Sequence, residues 1–600
     1  MENNIEEIRH SLSHIMAQAI LNLYPKTKLG MGPAIENGFY YDFLLTKTLA
    51  PEDLQKIEAK MKEIILQNQK FTKKNISKLV AKKLFSAKGG SASGGKDQPF
   101  KLELIKDLPG KTVSIYTTEP DKKLQATSYK LQPFVDLCKG PHIKNTSEIK
   151  LDTFKLTKIA GAYWKGSEKN KMLTRIYGLA FSTKDELQKY ITMQEEAEKR
   201  DHRILGQKLD LFCFSDLVGG GLPLYTPKGV AIKEELQKEV ERICRGYGFQ
   251  KVSCPSLTKI DLFEISGHAK KFNDELFRVS SPNGHSFALK PVQCPHHTQI
   301  YASKPRSYKD LPIKYMESDK QYRAEKTGEV GGLTRVYAIT VEDGHTFCTR
   351  EQVKDEIKAM VNIIKEFYSS IGLWGNHWIS LSTRGKDFSK YIGEKKDWDL
   401  CEKILKEVSD EMNLGAIKCP GEAALYGPKL DFMFKDAIGK EVQIPTVQID
   451  FATPKKFNLV YTDKDGKEKN PVMVHRAILG SYERFLALII EHFAGAFPVW
   501  LSPVQVSIIP ISEKHLEYAN SIKQKLLENN IRLEIRDEAE TLGKKIRTVE
   551  MQKVPYLLIL GDKEIQAEAV SVRQRSKGDL GQMPLDKFIQ QIIEEIKNKK

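Results

Sequence analysis

Tyr322-Arg323-Ala324-Glu325, followed by a turn carrying Gly328, Gly331 and Gly332 and then by Arg335, is the segment from which the fold can be read. An arginine and a carboxylate on one strand-like run, a glycine-bearing turn and a second arginine together suit a triphosphate. Guanidinium groups grip phosphate oxygens bidentately and keep their charge at any physiological pH. A surface hairpin laced with salt bridges has the same composition, so the flanking sequence must decide. Upstream, Ile232, Leu236, Val240 and Ile243 recur at helical spacing up to Arg245-Gly-Tyr-Gly-Phe249, and a strand is expected over Phe249–Cys254, stopping at Pro255. Downstream, Gly480-Ser-Tyr-Glu-Arg484 opens an amphipathic helix through Phe485, Leu486, Ile489, Ile490 and Phe493, with Arg484 on its first turn. Residues 225–500 mix helical and strand-like patterns without a strict βα alternation. This predicts an α+β block built on an antiparallel sheet rather than a doubly wound fold. Neither a Walker loop nor a GxGxxG fingerprint is present in the sequence.

The chain has 600 residues, enough for three to five domains at roughly 150 residues each. Asn4 can cap a helix with Glu7 three residues on, and Ile5, Ile8, Leu12, Ile15 and Ala19 keep its period until Pro25. Asn37-Gly38 opens the aromatic run Phe39-Tyr40-Tyr41. A lysine run from Lys70 to Lys88 reads as a solvated helix face and leads into Ser86–Gly95, a glycine/serine-rich surface loop. Thr183 to Glu186 is a capping box for a helix to about Ile204, almost wholly charged in its second half, as helices that bridge domains tend to be. Trp500-Leu-Ser-Pro503 reads as a linker. Beyond it strands are expected at Val504–Ile509, Ile531–Ile535, Tyr556–Leu560 and Val570–Arg575, with helices at Glu513–Glu528, Leu542–Met551 and Leu585–Ile596, an α/β domain of about 100 residues.

Net charge is +16, which suits a polyanionic partner such as nucleic acid. The nearest approach to a membrane span, Phe485 to Leu501, carries Glu491, His492 and Pro498, so none is expected. The acidic start Met-Glu-Asn-Asn-Ile-Glu-Glu argues against a secretory signal. Eight cysteines with no CxxC pair point to a reducing cytoplasm.

Two His/Cys sets could carry chemistry. His10 and His14, at i and i+4, share a helix face, and Asp136-Leu-Cys138-Lys-Gly-Pro-His142 stands far downstream. Together they could form a zinc-type tetrad, a water-activating pocket that needs no metal, or two unrelated pairs. Cys294, in Pro291-Val-Gln-Cys-Pro-His-His297, with His345 and His475 offers the three N/S ligands of a catalytic zinc site, although thirteen histidines make such triples easy to draw.

Taken in order, helix-strand-Pro255, Tyr322-Arg-Ala-Glu325 with Arg335, and Gly480 to Arg484 resemble the three motifs of class II aminoacyl-tRNA synthetases. His10-Ser-Leu-Ser-His14, Gly38-Phe-Tyr-Tyr-Asp42, Asp136 to His142, Gly161-Ala-Tyr-Trp164, Tyr426-Gly-Pro-Lys429 and His475-Arg-Ala-Ile-Leu-Gly480 narrow the resemblance to the bacterial-type threonyl-tRNA synthetase family, over essentially the whole chain. The resemblance implies an editing domain over residues 1–182, a linker helix over 183–205, a class II catalytic domain over 206–499 and an anticodon-binding domain over 500–600. It further implies ATP-dependent ligation of L-threonine to tRNA(Thr) in a cytoplasmic homodimer, starting without the ubiquitin-like domain of the longest relatives. One zinc per subunit would be held by Cys294, His345 and His475, with magnesium accompanying ATP. Arg323, Asp343, Tyr426 and Gln448 would bind threonine; Arg323, Glu325, Arg335, Gln443 and Arg484 would bind ATP. His10, His14, Tyr41, Lys101, Asp136, Cys138 and His142 would hydrolyse Ser-tRNA, and Arg547, Glu564 and Arg573 would read the anticodon.

Four positions depart from the family pattern: His296, Ile339, Val341 and Pro445. All fall near the expected ATP and threonine sites, and His296 beside Cys294 is expected to be able to perturb the metal. An RNA-binding paralogue without ligation and a trans-editing deacylase are the competing readings. An intact Cys294/His345/His475 set argues against both.

Overall fold

The computed structural model describes all residues except 1–4, 87–96, 120–132, 272, 327, 376, 436–438, 440 and 600. Asn4 and nearly all of the glycine/serine-rich stretch therefore lie outside the described residues. The chain folds as two compact units, Met1–Gln194 and Glu195–Lys600.

In the first unit the helix Ile5–Leu23 is buried without interruption from Ser11 to Leu21 and packs on an antiparallel sheet containing Gly38–Leu44, Phe154–Tyr163 and Met172–Ala180. A second sheet pairs Lys70–Ser77, Thr112–Glu119 and Phe134–Leu137. The lysine run is thus not one helix face. Lys70, Lys73 and Lys74 lie on the strand Lys70–Ser77, and Ser77 then caps the helix Lys78–Phe85 by accepting the Val80 N–H.

The second unit is organised by an eight-stranded sheet in the order Gln250–Lys251, Ile313–Tyr322, Ala338–Cys348, Val472–Ala477, Glu441–Asp450, Lys429–Lys435, His377–Thr383 and Ile417–Pro420. It is antiparallel except at its two ends, where Gln250–Lys251 and Ile417–Pro420 pair in parallel. Helices Pro227–Gly246, Val353–Ser370 and Tyr482–Phe493 bury their apolar stripes with it in one core. Pro445 sits at a bulge: Asp431 pairs Thr446 and Met433 pairs Gln443, so Ile444 and Pro445 oppose Phe432 alone, and pairing with the other neighbour begins at Thr446. A residue without an N–H is accommodated in a central strand at such a site.

Three further sequence expectations need correction. The strand predicted over Phe249–Cys254 is laddered only at Gln250 and Lys251. The linker helix is two helices, Lys184–Arg200 and His202–Lys208, because Asp201 takes an extended ψ and its carboxylate accepts the Arg203 N–H, capping the second one. Finally, the last domain has a further strand, Gly578–Pro584, paired only with Ala569–Gln574 at the edge of a five-stranded sheet. Among the described residues no helix is long and apolar enough to cross a membrane.

Candidate active sites

Strand alternation places Ile339, Val341, Asp343 and His345 on one face of Ala338–Cys348. Register then sets His345 directly opposite His475, and His475 opposite Gln448, bringing residues far apart in sequence into one hydrogen-bonded layer. Cys294 starts the helix Cys294–Ala302, and the ligand atoms of Cys294, His345 and His475 all lie within 4.8 Å of one another. His475 Nε2 bonds Asp450 Oδ2 at 3.0 Å, leaving its Nδ1 for another partner. His345 Nε2 is buried and has no hydrogen-bond partner among the described residues; Asp343 Oδ1 stands 3.8 Å away, beyond bonding reach. A buried nitrogen of this kind costs free energy unless something accepts its lone pair, and the Cys/His/His donor set is that of a zinc site. Burial pushes the Cys294 thiol well above its ordinary range and holds His345 neutral, so a cation is what would make the sulfur a thiolate. Around the triad, Tyr426 packs its ring on His475 at 5.1 Å, and Gln448 donates to Gly427 O at 3.3 Å. Burial raises the neighbouring Asp343 carboxyl to about 6.

Further along the same face a cavity of about 340 Å³ is lined by Arg323, Glu325, Arg335, Gln443 and Arg484, with Ile339 and Val341 in its wall. Burial lowers the Arg323 and Arg484 guanidinium groups, and Arg323 and Arg335 lower Arg484 further. Three cations converge there on one carboxylate of the lining, Glu325, and the excess positive charge is an arrangement that a polyphosphate would relieve. Arg335 is paired with Glu325 and with Glu329, each at 2.7 Å. Gln443 donates to Asp431 at 2.6 Å.

Sequence reasoning gave no role to three groups that shape this site. His202 accepts the Leu333 N–H through Nε2 at 3.1 Å and bonds Glu491 through Nδ1 at 2.7 Å, tying down the glycine turn beside Arg335. A Cβ on Gly332, whose φ is +53°, would meet that imidazole at 2.3 Å. His297 bonds His345, and Asp450 bonds His475. His296, which the sequence sets beside Cys294, stands outside the cluster, and its Nε2 bonds Thr258 Oγ1 at 3.0 Å.

In the first unit a cavity of about 660 Å³ is lined by His10, His14, Lys101, Asp136 and Cys138. The ligand-type atoms of His10, His14, Cys138 and His142 also lie within 4.8 Å of one another. Here most have partners already. Cys138 Sγ lies 3.3 Å from both His10 Nε2 and His142 Nε2, His10 Nδ1 donates to Pro141 O at 3.0 Å, and His142 Nδ1 meets Ser11 Oγ at 3.1 Å. Burial pushes the Cys138 thiol up to about 11 and the imidazoles down, so at neutral pH the sulfur is no nucleophile and the histidines are neutral. Behind them Asp136 is held by Lys101 at 2.5 Å and by the Tyr41 hydroxyl at 2.5 Å; Tyr41 is fully buried and supports the cavity rather than lining it.

In the last domain Arg547 is exposed on the helix Leu542–Met551, and Arg573 lies 3.6 Å from Glu550. Glu564 is buried with its carboxylate committed to the Gly561 N–H at 2.9 Å and the Ser571 hydroxyl at 3.0 Å.

Three family models match the chain. They are the second additional domain of threonyl and alanyl tRNA synthetases over residues 113–177, the class II synthetase core domain (G, H, P, S and T) over 277–493, and an anticodon-binding domain over 505–595. A threonine–tRNA ligase of Gloeobacter violaceus is 42% identical over 601 residues, covering 99% of this chain and 92% of the relative. One from Carboxydothermus hydrogenoformans is 43% identical over 592 residues, covering 99% and 89%. A crystal structure of the RNA-binding domain of threonyl-tRNA synthetase from Cryptosporidium parvum aligns with a TM-score of 0.63 and 33% identity, over 66% of this chain and 98% of that one.

Proposed function

The chain belongs to the threonine–tRNA ligase family, and from that premise we propose that it activates L-threonine with ATP as threonyl-adenylate, transfers it to tRNA(Thr) and hydrolyses Ser-tRNA(Thr) at a second site. The observation that carries the reading is the convergence of Cys294, His345 and His475 around an unpartnered buried His345 Nε2, beside a cavity lined by three arginines. A zinc ion held by these three residues would supply Lewis-acid coordination of threonine's amino and hydroxyl groups. Asp343 accepts the hydroxyl proton, while Tyr426 and Gln448 wall the pocket. Valine offers no hydroxyl and leaves these polar groups unpaired, so it is rejected by a large factor. Arg323 orients threonine's carboxylate against the α-phosphate of ATP, brought in with magnesium. Arg335 exchanges its bonds to Glu325 and Glu329 for phosphate oxygens, and Arg484 neutralises charge as the α-phosphate becomes pentavalent. No protein nucleophile is required, because the tRNA ribose hydroxyl attacks the adenylate.

Serine differs from threonine by one methyl, worth roughly 1–3 kcal/mol, too little for accurate translation (synthetases are the stock example of this limit). The first unit answers that need. Its neutral His10, or His14, takes a proton from a water in the cavity, and Asp136, fixed by Lys101 and Tyr41, holds the wall behind. Arg547, Glu564 and Arg573 are proposed to face the anticodon, Glu564 by shaping its turn. A homodimer is proposed as well, supported by the exposed apolar run Phe214, Leu217, Val218 and Leu224.

Pyrophosphate exchange with threonine, serine and valine, with zinc quantified in the same sample, tests the reading. Exchange with threonine far above valine, at about one zinc per chain, is expected. Zinc without exchange would overturn ligation and leave an RNA-binding paralogue.

A further inference from the structure

Behind the proposed zinc ligands lies a second layer of buried polar groups. We propose that Glu317 and His297 form a two-step relay that holds His345 in the tautomer with Nδ1 protonated and Nε2 free to ligate. The proposal rests on the reading of Cys294, His345 and His475 as a metal site.

The assignment follows from counting protons along the chain of contacts. Glu317 accepts the Cys254 N–H through Oε1 at 2.5 Å, and its Oε2 stands 3.4 Å from His297 Nε2. An ionised carboxylate only accepts, so His297 carries its proton on Nε2 and keeps a lone pair on Nδ1. That Nδ1 lies 2.7 Å from His345 Nδ1, with the rings nearly perpendicular at 87°. One proton must sit between the two nitrogens, and His345 is the one left to supply it. Its Nε2 is then a bare lone pair, and that is the buried atom without a hydrogen-bond partner. The opposite assignment would set two lone pairs face to face at 2.7 Å and a proton at Nε2 aimed where a cation belongs. All members of the chain of contacts are buried, so no solvent can substitute for a missing partner.

The other histidine ligand supports the same logic. His475 Nε2 meets Asp450 Oδ2 at 3.0 Å, and Asp450 Oδ1 is fixed by the N–H groups of Ala452 and Thr453 at 2.7 and 2.8 Å. Each imidazole is therefore backed by an anchored carboxylate, His475 directly and His345 through His297. A carboxylate behind a ligand histidine is worth roughly 10–100-fold in metal affinity. Cys254, His297 and Glu317 also lie within 4.8 Å of one another and could be taken for a second metal set. Both nitrogens of His297 and both oxygens of Glu317 already have partners, which favours the relay.

The test uses the purified full chain, with zinc as the probe, in chelator competition and metal analysis, and cobalt substitution as a spectroscopic readout. Glu317→Gln and His297→Phe should each weaken zinc binding by about 10–100-fold. His297→Asn, whose Oδ1 can stand in for the imidazole Nδ1 as acceptor, should recover most of that affinity and the wild-type cobalt spectrum. In the His297→Asn background Glu317→Gln should cost nothing more, because the relay no longer passes through Glu317. Wild-type zinc affinity in His297→Phe, or an undiminished Glu317→Gln effect in the His297→Asn background, would overturn the relay. Two zinc ions per chain would overturn it in favour of a second metal site. Cys294→Ala separates the two claims: if that variant also keeps its zinc, the metal-site reading itself has failed and the relay with it.

Discussion

His10, His14, Cys138 and His142 in the first unit and Cys294, His345 and His475 in the second are built from the same two residue types at the same spacing, within 4.8 Å. What differs is what stands behind them. In the first cluster the thiol bridges two imidazoles, and their other nitrogens meet a carbonyl and a serine hydroxyl, facing a cavity of about 660 Å³. In the second, anchored carboxylates back both imidazoles, and one ring nitrogen is left buried without a partner. Ligand-type proximity alone therefore cannot separate the proposed hydrolytic pocket from the proposed metal site. The saturation of the donors can.

The sharpest way to break that distinction is Cys294→Ala. It should abolish zinc binding and lower threonine-dependent pyrophosphate exchange by roughly 1,000-fold or more, since several kcal/mol of coordination are lost. Ser-tRNA hydrolysis should persist in the same sample. Full exchange activity in a metal-free variant would erase the difference between the clusters.

The converse change is His10→Ala with His14→Ala. Loss of a general base costs roughly 100- to 10,000-fold, so Ser-tRNA should accumulate, while threonine ligation and zinc content stay as in the parent. Clearance of Ser-tRNA at the wild-type rate would move the hydrolytic site elsewhere. A zinc requirement for that clearance would make the first cluster a metal site too.

Which parts of this were legible in the sequence follows from which forces are local. Helical periodicity fixed Pro227–Gly246 and Tyr482–Phe493, and the segment around Arg323 carried the class of the core, because the spacing of apolar residues, arginines and glycines is written along the chain. The strand Gly578–Pro584 escaped notice because Gly578, Gly581 and Pro584 read as turns, and an edge strand with one neighbour tolerates them. His296 and His297 are adjacent on the helix Cys294–Ala302, about 100° apart around its axis, and nothing local says which one faces His345. The tertiary packing turns His296 to Thr258 and His297 to His345. Asp450 and Glu317 were invisible for the same reason: their roles exist only through register across the sheet.

Asp450→Asn sharpens the comparison at the level of the second layer. The amide can still contact His475 Nε2 but brings no charge, so zinc affinity should fall about 10–100-fold by chelator competition, with one zinc still bound at saturation. Asp136→Asn, the carboxylate behind the first cluster, should leave zinc affinity untouched. Equal effects of the two on zinc would mean that the clusters are not distinct in kind.

The smallest effect probes proton uptake in the first cluster. Burial holds His14 and His142 far below the ordinary imidazole range, whereas in the unfolded chain both titrate near 6.5. As pH falls through that value the unfolded state takes up protons that the folded first unit refuses. The stability these histidines contribute is thus present above about pH 6.5 and lost below it, at roughly 1.4 kcal/mol per pH unit for each. Hydrogen exchange of the helix Ile5–Leu23 should therefore accelerate between about pH 7 and pH 5.5 beyond the intrinsic chemical trend, and His14→Gln with His142→Gln should flatten that excess. Protection that is independent of pH in the wild type would mean that the imidazoles accept protons in the folded state. A cluster of that kind would be solvated, and the neutral bases on which the hydrolytic reading depends would not exist at acidic pH.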